Sequence, residues 1–135
     1  MSWHDNHVHA LRMFEGEHGA GELWLELDYI LEWLKEDQGL LFRIVPVQLR
    51  FADVSSLRVT LDYATVTAAM GPFSVASIER TFEVRARYTA SLWKIIVNWP
   101  VGEIEFEASG FEQVPIGGEV LSRRQVLTPQ ERGDA

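Results

Sequence analysis

Leu23-Trp24-Leu25-Glu26-Leu27-Asp28-Tyr29-Ile30-Leu31-Glu32-Trp33-Leu34 is the densest apolar run in the chain, and its period decides the fold. The odd positions Leu23, Leu25, Leu27, Tyr29, Leu31 and Trp33 are all large and apolar. The even positions interleave Glu26, Asp28 and Glu32 with Trp24, Ile30 and Leu34. That two-residue alternation predicts a half-buried strand. A helix is the rival, because Leu27, Ile30, Leu31 and Leu34 also share one helical stripe.

The flanks favour the strand. Upstream, His7-Val8-His9-Ala10-Leu11-Arg12-Met13-Phe14-Glu15 reads as a strand, and Gly16 to Gly21 as a Gly-rich turn, so the opening is a hairpin. Downstream, Phe42 and Ile44 share one parity and Val47, Leu49 and Phe51 the other. Pro46 sits at the changeover, which predicts a bulge. Asp53 to Ser56 reads as a turn, Leu57 to Tyr63 as an amphipathic strand, and Ala64 to Gly71 as an irregular segment or short helix. Ile78 to Tyr88 alternates as a further strand. Trp93 to Trp99 and Ile104 to Ala108 form a hairpin about Pro100-Val101-Gly102.

Composition sets the frame. The chain has 135 residues, 47% of them hydrophobic and 11% aromatic, with five Trp and no Cys. A single core therefore needs no disulfide to hold it, and thiol catalysis and Cys-ligated metals are excluded. The expected class is all-β, an antiparallel β-sandwich or open barrel of about six to eight strands. Residues 1–111 are expected to form the single all-β domain. Residues 112–135 read as a polar C-terminal tail, partly ordered at most, with a short helix or a mobile tail as its two forms.

Twelve Lys and Arg against 20 Asp and Glu leave a net charge of −8. Such a field opposes nucleic acid and anionic membranes and favours a basic protein partner. Met1 to His7 has no basic region followed by an apolar one, and no apolar run reaches the length of a membrane span, so the expected location is cytoplasmic.

Two groups of residues look able to carry chemistry. On a strand, His7 and His9 project from one face, and His4 or Asp5 could complete a divalent-metal site. Such H-x-H spacing invites comparison with cupins, but the first glutamate after His9 is Glu15, and no glycine precedes the motif. The second group is acidic: Glu103, Glu105 and Glu107, with Trp24, Glu26 and Asp28 on the opening run, are candidates for partner binding. Like charges at alternate strand positions repel unless water or a cationic ligand screens them. No Ser-nucleophile elbow, phosphate-binding loop or dinucleotide fingerprint is present.

The segments His4 to His9 (H-D-N-H-V-H), Leu27 to Trp33 (L-D-Y-I-L-E-W) and Asn98 to Phe111 (N-W-P-V-G-E-I-E-F-E-A-S-G-F) resemble small bacterial all-β proteins. By class alone, the chain is also similar to the immunity proteins of toxin systems. The resemblance implies the fold and brings no residue roles or cofactor. The expected function is a non-enzymatic, acidic protein-binding module. A metal-dependent enzyme built on His4, His7 and His9 is the alternative, and a homodimer formed through edge strands is a third reading.

Overall fold

A computed structural model describes residues 3–16, 21–63 and 72–132. Residues 17–20, the middle of the expected Gly-rich turn, and residues 64–71, the expected irregular segment, lie outside the described residues. Among the described residues, eight strands and one short helix follow in order: β1 (His7–Glu15), β2 (Gly21–Glu36), β3 (Gly39–Leu61), β4 (Phe73–Val84), β5 (Thr89–Trp99), β6 (Val101–Glu107), β7 (Gly110–Pro115), β8 (Val120–Ser122) and α1 (Pro129–Arg132). The all-β antiparallel class read from the sequence is what the chain adopts. Among the described residues, no helix is long and apolar enough to cross a membrane.

The sheet runs β2-β1-β4-β5-β6-β3, and pairing of β2 with β3 closes these six strands into an irregular ring. β3 is its spine. At 23 residues it is the longest strand, and β2 lines one of its edges from Gly39 to Val54. Along the other edge, β6, β7 and β8 follow one another, pairing with 55–61, 47–52 and 42–44. Where a turn was expected at 53–56, β3 instead continues through a bend. Asp53 and Ser56 both take left-handed φ values of 54°, and the register with β6 shifts between Ser55 and Arg58.

The odd positions of the opening run face inward as far as Tyr29; beyond it the register with β3 shifts between Ile30 and Glu32, so Ile30 is buried while Leu31 and Trp33, expected on the core face, are exposed. Leu23, Leu25, Leu27 and Tyr29 pack with Val47, Leu49, Phe51, Trp93, Ile95, Val97, Ile104 and Phe106 in the main core. Phe51 is its aromatic centre, edge-on to Trp93 at 5.2 Å and to Phe106 at 4.8 Å between centroids.

Pro46 does not produce the expected bulge: Asp28 pairs with Pro46 and Leu27 with Val47 without a shift, and the irregularity lies in β2 between Ile30 and Glu32. The change of parity in β3 has another cause, because the strand buries both faces. Val47, Leu49 and Phe51 enter the main core, whereas Phe42 and Ile44 join Ile30 and Leu127 in a second cluster outside the ring. The Pro46 carbonyl accepts the Ile116 N–H at 2.9 Å, so its missing N–H faces the gap between β7 and β8, where no ladder donor is needed. Gly117 crosses that gap so closely that a Cβ there would stand 2.6 Å from Pro46 Cγ.

A buried clasp and an acidic sheet face as candidate sites

His7, His9 and Asp28 come together on the outer face of β1 and β2. Asp28 pairs with His7 across the two strands, so both side chains leave the sheet on the same side. The register then shifts between Val8 and Ala10, which makes His9 the extra residue of a bulge and turns it toward the same carboxylate. His9 Nε2 lies 3.7 Å from Asp28 Oδ1. Burial pushes the His7 imidazole below its ordinary value, opposed by the Asp28 charge and then by the backbone carbonyl and charge of Asp5.

The C-terminal segment seals this group. Asp28 is 0% exposed, and its carboxylate accepts the Leu127 N–H at 2.9 Å and Arg132 Nε at 3.1 Å. Arg132 also donates through Nη2 to the Leu127 carbonyl at 2.7 Å, so one guanidinium ties carboxylate and backbone together. α1 holds Arg132 in place through a capping box. The Thr128 hydroxyl accepts the Glu131 N–H, and Glu131 Oε1 accepts the Thr128 N–H at 2.9 Å, with Pro129 at the first helical position. That backbone hydrogen bond, first among its causes, holds the Glu131 carboxyl below its usual range. Thr128-Pro129-Gln130-Glu131 was the signal in the sequence that could have revealed this ordered end.

The remaining candidates on this side are also engaged. Glu26 is buried, held by Arg12 Nε at 2.8 Å and Gln48 Nε2 at 3.0 Å. Trp24 packs against Phe14, with centroids 4.6 Å apart, and lies beneath the Arg50 guanidinium at 4.3 Å. His4 Nδ1 lies 2.9 Å from the Asp5 carboxylate. Among the described residues, no three His, Asp or Glu side chains form a group that could hold a metal ion. Asn6 is buried beside the clasp, where its Oδ1 accepts the Ile30 N–H at 3.0 Å.

Glu103, Glu105 and Glu107 occupy the opposite region, on the outer face of β4, β5, β6 and the C-terminal half of β3. Register places Glu79, Lys94, Glu105 and Arg58 in one row across these four strands, with charges alternating. Lys94 Nζ is 3.9 Å from Glu103 and 3.8 Å from Glu105, a loose geometry for an ammonium shared between two carboxylates. Glu107 is held more firmly, 2.8 Å from Arg85 Nη1. The Tyr88 hydroxyl, then Glu107 and Glu83, raise the Arg85 guanidinium above its ordinary value, so it is a permanent cation. Ser56, Glu79, Thr81, Arg85, Leu92, Lys94, Glu105 and Glu107 line a shallow cleft of about 420 Å³ on this face.

The two candidate groups thus differ in kind. His7, His9 and Asp28 have the residue types of a catalytic or metal site but are enclosed by the chain's own end. Of the acidic residues, Glu103 and Glu105 are open to solvent, Glu107 is mostly covered beside Arg85, and Glu26 is buried. Compared with known protein families and curated protein sequences, the chain matches none.

Proposed function

We propose that this chain is a non-enzymatic protein-binding module that receives a basic side chain of its partner in the cleft between β4, β5 and β6. The observation that carries this reading is the convergence of Glu79, Glu105 and Glu107 on one open cleft of about 420 Å³ that Leu92 also lines. Among the described residues that line the cleft, the cations are Lys94 and Arg85, with Arg58 beside Glu105 in the same row, and Lys94 is loosely held. An incoming guanidinium can bind Glu105 through two parallel hydrogen bonds and displace the single ammonium. The net charge of −8 brings a basic partner in by long-range attraction. The enclosure of Asp28 beneath Leu127 and Arg132 supports the non-enzymatic part of the reading, because that carboxylate is already committed to holding the C-terminal segment on the sheet.

A set of short peptides that differ only in charge tests it. Peptides rich in Arg should bind more tightly than their Lys counterparts, and acidic peptides not at all. Equal binding across the set, or undiminished binding by a Glu105→Gln variant, contradicts the reading.

A further inference from the structure

The distal half of β4 has an open edge. β1 pairs with β4 only at Phe73 and Ser74, whereas β5 follows it without interruption from Ile78 to Val84. The Arg85 N–H donates to the Tyr88 carbonyl at 2.9 Å, which fixes the phase of the hairpin. Every second residue back from Arg85 turns its backbone groups to β5. The N–H and C=O groups of Ile78, Arg80, Phe82 and Val84 therefore point outward, and among the described residues no strand pairs with them.

Apart from the charges of Glu79, Arg80 and Glu83, this edge lacks the devices that usually protect one. It contains no proline, glycine or lysine and no bulge from Ile78 to Val84, and while Ile78 packs against the core, Phe82 and Val84 are open, 64% and 85% exposed. β7, which also ends the sheet path, is shorter and stops at Pro115.

We propose that two copies of this chain pair antiparallel along the outer edge of β4, with the two-fold axis at Phe82. Charge selects the register. Centring on Arg80 sets two guanidinium groups opposite one another, and centring on Thr81 sets Glu79 against Glu83 twice. Centring on Phe82 places Phe82 against Phe82, Arg80 against Val84, Thr81 against Glu83, and Glu79 against Arg85. No like charges then face each other, and the aromatic pair sits at the axis. Residues 80–84 of each copy then exchange about six main-chain hydrogen bonds. The joined sheets carry the two acidic faces side by side, which goes beyond the single docking face and gives a basic partner two points of attachment.

Sedimentation tests the pairing. The chain should move from 15.4 kDa to twice that mass with a dissociation constant on the order of 10–100 µM, since the area is below that of a standard interface. Phe82→Pro removes an N–H that points to the open edge and leaves the β5 ladder donors in place, so it should weaken the dimer at least about tenfold. Glu79→Arg should weaken it similarly by setting Arg against Arg85. A single species of 15.4 kDa up to about 500 µM overturns the proposal. So does a dimer that persists undiminished in Glu79→Arg, whether or not Phe82→Pro folds. Because Glu79 also lines the cleft and Phe82 does not, peptide binding is read in the parent chain and in Phe82→Pro, where loss of the dimer leaves the cleft standing.

Discussion

Arg132 Nε lies 3.1 Å from Asp28 Oδ1, although the two residues are 104 positions apart. Both side chains are almost wholly excluded from water, so each depends on the other for its charge to be tolerable. The ion pair fastens the last turn of the chain across β2 and lets Leu127 close the second apolar cluster with Ile30, Phe42 and Ile44.

Removing one partner of this pair should therefore cost more than removing both. Asp28→Asn is expected to destabilise by about 3 kcal/mol in urea denaturation, because Arg132 keeps its charge without the carboxylate. Arg132→Met alone should cost a similar amount. The double variant should recover part of the loss, giving a coupling energy above about 1 kcal/mol.

His7 should make stability depend on pH in one direction. Its folded value is below the unfolded one near 6.5, so the unfolded chain binds the proton first as acid is added. Stability is then fully present above the unfolded value and is lost as pH falls from there toward the folded value. The groups that act on the same ring are the carboxylate of Asp28, which His9 also approaches, and Asp5. Melting curves between pH 7.5 and pH 5.5 should show a fall in Tm that His7→Gln reduces.

Gly102 pairs with Leu61 where β6 runs against β3. A Cβ at this position would collide with the Thr60 carbonyl oxygen, so Gly102→Ala must push two paired strands apart. A loss of about 1–3 kcal/mol is expected. Faster amide exchange should be confined to Val59–Leu61 and their β6 partners. Retained stability would mean that the strands separate without cost.

Leu27 tests the face assignment of the opening run. It is 1% exposed in the main core, and Leu27→Asp would bury a charge with no partner. That variant is expected to be unfolded by circular dichroism at 25 °C. A melting curve near that of the parent would overturn the register.

Much of this arrangement was legible because apolar period reports directly on a face turned inward. The alternation of Leu23, Leu25, Leu27 and Tyr29 gave the core side of β2, and Trp93, Ile95 and Val97 gave that of β5. The expected bulge at Pro46 failed because parity tells which residues are buried but not in which core. Phe42 and Ile44 belong to a second cluster that exists only once Leu127 has folded back. His9 reached Asp28 through a one-residue bulge, which no pattern of polar and apolar residues announces. Asp28 itself carried a clue, since a carboxylate amid large apolar residues needs a cation, and Arg132 follows a capping box. The acidic ladder was plain in Glu103, Glu105 and Glu107, but its neutralising row with Lys94 and Arg58 required strand register.

The docking cleft is tested most directly by residue-resolved NMR of the labelled chain titrated with an Arg-rich peptide, at about 20 mM and again at about 300 mM salt. The expected shifts concentrate on the amides of Glu79, Lys94, Glu105 and Glu107 at low salt. They weaken steeply at high salt and are largely lost in Glu105→Gln. Shifts centred instead on His7, His9 and Asp28, or a binding strength indifferent to salt, would contradict it.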